Sequence, residues 1–263
     1  MNDTTTLQLI ATAAGGLETC VRHELEALGF DGARVHSPGR IAFDAAAEGV
    51  ARANLWLRTA DRVLLVVGDF EAGDFDALFD GTAALPWERW IPPDGAFPVR
   101  GRTVKSRLAS APACQAVVKK AIVERLRAAH GVGELPETGA TFRVEIALRD
   151  DRALLTIDTT GPGLHKRGYR AAAGPAPLKE TLAAAMIHLS FWTPDRPLID
   201  PFCGSGTIPI EAALIGRNIA PGLRRSFDAE QWPALPAALW DAQRRQARDA
   251  IAPALPVRII GTD

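Results

Sequence analysis

The stretch "PLIDPFCGSGTIPIEAALIG", Pro197 to Gly216, constrains the fold of this chain more than any other segment. A short apolar run ends in a carboxylate, Asp200, and enters a turn holding Gly204 and Gly206. An apolar-periodic segment follows, with Ile208, Ala212 and Ile215 on one face. Pro209 is tolerable only in the first turn of a helix and Gly216 reads as its stop, so the order is strand, turn, helix. α/β sheets are assembled from that unit. A turn without side chains lets a ligand approach the backbone. A triphosphate-cradling loop ends in Gly-Lys-Ser/Thr, and the segment has no lysine. The dinucleotide fingerprint wants a third glycine where Pro209 stands. Two readings remain: a strand-end carboxylate facing a ligand with an ammonium group, or a tight turn in which Asp200 caps the next helix.

Upstream, short strands alternate with helices. "TLQLIATA" reads as a strand, and Leu17, Val21, Leu25 and Leu28 place a helix over about Gly16 to Leu28. "RVHSPGRIAFDA" reads as a hairpin turning at Pro38-Gly39, followed by a helix near Val50 to Leu57 and a strand "RVLLVVGDF". Beyond the Pro- and Trp-bearing "LPWERWIPPDG" come a strand "FPVRGRTV", a helix from about Pro112 to His130, and a strand pair turning at Asp150-Asp151. This order implies an α+β sandwich. "GYRAAAGPAPLKE" lacks apolar periodicity and marks a domain boundary. After it, Leu178, Leu182, Ala185, Met186 and Leu189 are expected on one buried helix face, with Pro177 near its first turn, and "VRIIGTD" reads as a further strand.

Three cysteines, Cys20, Cys114 and Cys203, are widely spaced and match neither a disulfide framework nor a zinc site, so no metal and a reducing, cytoplasmic setting are expected. No secretory leader and no membrane-spanning run is read, so no membrane partner is expected. A net charge of −1 gives no global attraction to a polyanion, which leaves local patches. Arg100, Arg102, Lys105, Arg107, Lys119, Lys120, Arg125 and Arg127 face a single acid in that stretch, Glu124. They read either as a phosphate-neutralising surface or as a solvated helix face. "HKRGYR" sets His165, Lys166, Arg167 and Arg170 around Tyr169, which suits phosphate contact with base stacking, or a linker packed on its own domain.

"DPFCGSGTIPIEAA" closely resembles motif I of the class I S-adenosylmethionine-dependent methyltransferases that act on exocyclic base amines. With "TTGPGLHKRGYR", "APLKETLAAAMI" and "LIGRNIAPGL", the resemblance covers nearly the whole chain and is to the THUMP-domain RNA methyltransferases. It implies a ferredoxin-like region (1–53), a THUMP domain (54–164), a linker (165–177) and the first part of a Rossmann-like methyltransferase domain (178–263). It implies S-adenosylmethionine as cofactor, Asp200 on the methionine ammonium, Pro201, Phe202, Cys203, Gly204 and Gly206 around the methionine and sulfonium, and Asp263 on the ribose hydroxyls. Asp263 lies farther from Asp200 than dinucleotide folds would place it, and the excess is attributed to the insertion "NIAPGLRRSFDAEQWPALPAALW". Cys203 has no nucleophilic part in amine methylation.

The resemblance further implies methyl transfer to RNA, at guanosine N2 of large-subunit ribosomal RNA. Rival readings are transfer RNA, a DNA amino-methyltransferase, and a non-catalytic RNA-binding module. The family holds its target amine with an Asn/Asp-Pro-Pro-Tyr/Phe motif, which does not occur here; the Pro92-Pro93 pair in "WIPPDG" lacks both flanking residues. On that basis the sequence is expected to be truncated within the catalytic domain, with its catalytic residues beyond Asp263 and a sheet edge and apolar face uncovered. It is expected to bind RNA, to hold S-adenosylmethionine weakly or not at all, and not to methylate.

Overall fold

A computed structural model describes residues 6–170 and 178–263. Residues 171–177 of the expected linker, Pro177 among them, lie outside the described residues. The chain forms two compact units, one of residues 1–63, 162–227 and 237–263, the other of 64–161 and 228–236. Compactness thus groups the N-terminal region with the segment that carries the glycine turn, which chain order alone does not convey.

The first unit opens with β1 (Leu7–Thr12), α1 (Glu18–Ala27), β2 (Arg34–Ser37), β3 (Arg40–Ala45) and α2 (Ala47–Trp56). β3 lies between β2 and β1 and pairs antiparallel with both. The expected hairpin turns at Gly39, whose φ of 71° and close approach to the Ala13 carbonyl leave no room for a side chain. Leu9, Ile10, Ile41 and Phe43 of the strands and Val21 and Leu25 of α1 are buried.

The second unit takes up the chain at Leu64, within β4 (Arg62–Glu71), and continues through α3 (Phe75–Ala83), β5 (Val99–Val104), α4 (Ala111–His130), β6 (Arg143–Arg149) and β7 (Arg152–Asp158). The strand order is β4-β7-β6-β5, antiparallel except for the parallel pair β5 and β6, which α4 connects. The Asp150-Asp151 turn of β6 and β7 has φ of 49° and 59°, the two positive angles of the hairpin turn that acidic and amide residues tolerate best. Ser110 caps α4, Pro112 occupies its first turn and Gly131 ends it at φ 66°. From the returning segment, Trp232 stacks on Phe142 with ring centroids 4.9 Å apart.

Also in the second unit, Arg125 grips the Glu88 carboxylate with two donors, Nε at 2.9 Å and Nη2 at 2.5 Å. That fork holds the Glu88 carboxyl below its ordinary value of 4.5. A carboxyl with a depressed folded-state pKa contributes stability above its unfolded value and loses it as pH falls through the folded one. Wild-type stability is expected to decline modestly as pH falls below about 4.5 through this pair, and Glu88→Gln to flatten that part of the acid limb. Urea melts of both proteins between pH 3 and pH 7 check this; superimposable profiles would refute it.

The first unit resumes with α5 (Glu180–Leu189), β8 (Leu198–Asp200), α6 (Thr207–Gly216), α7 (Ala237–Asp249) and β9 (Ile259–Gly261). The expected buried face of α5 needs correction. Ala183, Ala184, Ala185 and Ile187 are buried, while Leu182, Met186 and Leu189 are 40%, 46% and 56% exposed. Helix packing goes through the alanines and Ile187, while Leu182, Met186 and Leu189 project outward, as does Ile199 of β8. α7, read from sequence only as an insertion, buries Trp240, Gln243 and Ala247 on one stripe. Gln243 accepts from Arg52 of α2, and Trp240 stacks on Phe227.

Candidate functional site

β8 and β9 run parallel with Asp200 opposite Gly261, so the far sequence position of Asp263 is brought to the end of β8 by register. Main-chain bonds fasten the two strand ends: Thr262 N–H donates to the Asp200 carbonyl at 3.0 Å and Cys203 N–H to the Thr262 carbonyl at 2.9 Å. The Gly204 N–H points to the Asp263 carboxylate at 3.4 Å. Asp200, the glycine turn and Asp263 therefore converge, although 62 residues separate the two acids in the chain.

The turn needs its glycines for backbone reasons and leaves space beside them. Gly204 and Gly206 have φ of 49° and 74°. A Cβ at Gly204 would meet nothing within 4 Å, and one at Gly206 only the Ile210 Cδ1 at 3.8 Å. Gly206 is the N-cap of α6 and receives no side-chain cap; Asp200 instead accepts from the Phe202 N–H at 3.2 Å. The helix-capping reading of Asp200 is thereby excluded. The Pro201 and Phe202 side chains are exposed, and Cys203 is half-buried with its thiol nearest the position a Gly261 Cβ would take. Open space over a glycine turn, two flanking carboxylates and the free amides of a helix start suit a ligand with an ammonium, a hydroxylated ring and a carboxylate. These residues fit S-adenosylmethionine.

The "HKRGYR" segment requires a correction. Arg167 is 3% exposed and donates to the Leu164 carbonyl (2.8 Å), the Arg58 carbonyl (2.5 Å) and both carboxylate oxygens of Glu211 (3.4 Å each). A guanidinium so enclosed cannot meet a phosphate. Arg170 is likewise engaged, with Glu180 (3.0 Å), the Leu178 carbonyl (3.2 Å) and the Thr207 hydroxyl (3.1 Å). The Tyr169 hydroxyl donates to Glu211 at 3.1 Å, and burial, reinforced by that carboxylate, pushes its pKa up, so it remains a donor rather than a free stacking ring. Burial also lowers the His165 pKa, which disfavours its charged form. Lys166 alone of the segment's cations is exposed.

The basic stretch of the second unit also divides. Arg107 is paired with Asp151 through Nε (2.8 Å) and its own amide (2.7 Å). Lys119 pairs with Glu137 at 2.5 Å and lies 3.4 Å from the centroid of the Phe97 ring. Lys120 approaches Glu124 at 3.8 Å, a weak exposed pair. Arg100 and Arg102 occupy alternate exposed positions of the edge strand β5, and Lys105 follows at its end with φ 51°. Those three form the open cationic edge. Sequence reasoning missed Glu211 and Thr207, and it read Glu180 only as an acid suited to the start of the α5 dipole and not as the partner of Arg170; the signal for Glu211 was a lone acid in the otherwise apolar helix "TIPIEAALIG". Among the described residues no helix is long and apolar enough to cross a membrane, and no cluster of three His, Cys, Asp or Glu could hold a metal ion.

Comparison with known proteins matches residues 8–64 to the RlmL ferredoxin-like domain, 72–158 to the THUMP domain and 167–263 to the RMKL-like methyltransferase domain. The chain is 51% identical over 257 residues to the candidate RNA methyltransferase YpsC of Bacillus subtilis, covering 97% of this chain and 66% of that protein. It is 36% identical over 237 residues to the ribosomal RNA large subunit methyltransferase K/L of Aliivibrio fischeri, covering 85% of this chain and 33% of that one. It thus spans about two thirds and one third of these relatives' lengths. Among solved structures, a Listeria monocytogenes protein assigned by prediction as an N6-adenine-specific DNA methylase superimposes with a TM-score of 0.94 at 54% identity, covering 98% of this chain and 67% of that one. SMU.472, a candidate methyltransferase solved with S-adenosylhomocysteine, superimposes with a TM-score of 0.92 at 46% identity, covering 98% and 68%. With these three domains in this order and identity of that level along almost its whole length, the chain belongs to the THUMP-domain methyltransferases that join an RlmL-type ferredoxin-like domain to an RMKL-like methyltransferase domain.

Proposed function

We propose that these residues form the RNA-gripping and cofactor-binding part of an S-adenosylmethionine-dependent RNA methyltransferase that modifies an exocyclic base amine, guanosine N2 of large-subunit ribosomal RNA. The observation that carries this reading is the convergence of Asp200, the Gly204–Gly206 turn and Asp263 at the ends of two parallel strands, in a chain that also carries a THUMP domain. S-adenosylmethionine supplies an electrophilic methyl on a sulfonium. Asp200 would neutralise the ammonium, the free amides at the start of α6 would meet the carboxylate, and Asp263 would accept from the ribose hydroxyls. The protein's contribution to rate is then alignment and desolvation of amine and sulfonium, with no strong base needed. The ribosomal substrate is supported by the large-subunit methyltransferase relative, and RNA over DNA by the THUMP domain.

The 263 residues contain no Asn/Asp-Pro-Pro-aromatic motif, so we infer that alone they bind RNA but do not transfer methyl. The test joins the chain to the part of YpsC outside the match and supplies tritiated-methyl cofactor with unmodified ribosomal RNA, transfer RNA and DNA. Label recovered as N2-methylguanosine in large-subunit RNA is expected. Label confined to transfer RNA would move the substrate to that rival, label confined to DNA would overturn the RNA reading, and transfer by the unextended chain would overturn the motif argument.

A further inference from the structure

Glu211 is fully buried in α6, one helical turn beyond Thr207, the residue that follows the glycine turn. Residues four apart lie on one helix face, and here both are held by the same short arm: Thr207 by Arg170, Glu211 by Arg167 and Tyr169. Three further contacts anchor the arm. Arg167 donates to the carbonyls of Leu164 and Arg58, and Arg170 to Glu180 at the start of α5. The enclosure around Arg167 is charge-balanced. Arg58, buried alongside, is pulled down to about 10 by burial while Glu24 and Glu211 favour its charge. Glu24 in turn accepts from the Arg58 and Thr59 amides at 3.1 Å. A buried carboxylate with donors of this kind costs heavily when its partners are removed, so its geometry is strongly fixed.

We propose that Glu211 is a positioning residue: clasped by Arg167 and Tyr169, it fixes the first turn of α6 and thereby the direction of the Cys203–Thr207 amides. The inference rests on reading that turn as the cofactor site, and it assigns Arg167 and Tyr169 to the cofactor side of the molecule rather than to RNA. Nothing on this helix face needs to touch the cofactor for the effect to operate. Gly206 itself has no side-chain cap, so the αL entry into α6 is held from behind by this clasp.

Hydrogen exchange of the whole chain, read on peptides covering 198–210, separates this from a general stabilising role. Without ligand, Glu211→Gln is expected to speed exchange of the turn amides about tenfold or more, and Tyr169→Phe, which removes one donor and keeps the ring, about threefold. Peptides of β1 and β3 in the same unit should exchange as in wild type. Should Glu211→Gln fail to fold, Tyr169→Phe decides the matter. Unchanged turn exchange in a folded variant, or acceleration spread equally over β1 and β3, would overturn the proposal. Protection of the same peptide by S-adenosylhomocysteine in the wild type tests the cofactor reading separately: its absence refutes that reading while the variants still report on the clasp.

Discussion

Gly206→Val is expected to lower affinity for S-adenosylhomocysteine roughly a hundredfold, and Asp200→Ala roughly tenfold or more. The valine acts twice. At φ 74° a β-branched residue is strained in the left-handed region, so the turn must re-form to relieve it. If it does not re-form, the side chain projects into space where only Ile210 Cδ1 lies within 4 Å of the Cβ, the space assigned to the ligand. Asp200→Ala leaves the turn's backbone bonds in place, because the Thr262 N–H donates to the Asp200 main-chain carbonyl and not to its carboxylate. Besides the ammonium's partner it removes only the acceptor of the Phe202 N–H. Saturation-transfer NMR measures weak binding directly, and equal affinities for wild type and folded variants would contradict the site.

Arg100→Glu, Arg102→Glu and Lys105→Glu together should produce the second large effect, on RNA binding. Each phosphate contact contributes about 0.7 to 0.9 to the slope of log affinity against log salt, so losing three flattens it by about 2 to 3. These residues are exposed on or beside the edge strand β5, and among the described residues none of their side chains is paired with a carboxylate. Reversing Arg107 or Lys119 is a different experiment. It breaks the pairs with Asp151 and Glu137, and its result is destabilisation rather than a change of slope. Filter binding to a ribosomal RNA fragment from 50 to 300 mM salt gives the slopes, and identical slopes for wild type and the triple variant would assign β5 to ordinary solvation.

Local chemistry was legible in the sequence where a residue type answers to one backbone demand. Gly39 and the Asp150-Asp151 pair announced their hairpins because few residues adopt positive φ cheaply, and the expected helix from about Pro112 to His130 matches α4, which the structure caps with Ser110 and ends at Gly131. Asp200 and the glycine turn stood out in the sequence as a candidate ligand site, and the structure removed the capping alternative, since Gly206 is the N-cap of α6 and carries no side-chain cap. What sequence could not show was pairing at a distance. Arg167 read as a phosphate contact because its partner, Glu211, lies 44 residues on, inside a helix that periodicity marks as apolar. Lys119 was counted as a free cation because Glu137 reaches it only across a loop. The outward face of α5 was misread because a helix rich in alanine offers two apolar stripes, and only packing decides which is buried.

Binding of S-adenosylmethionine by the turn between β8 and α6 is checked by photolabelling the chain with the tritiated-methyl cofactor and mapping the labelled peptide. Label in residues 198–210, displaced by excess S-adenosylhomocysteine and lost in Gly206→Val, is the result this account expects. Label elsewhere in the chain, or label in 198–210 that survives both the competitor and the valine, would contradict it.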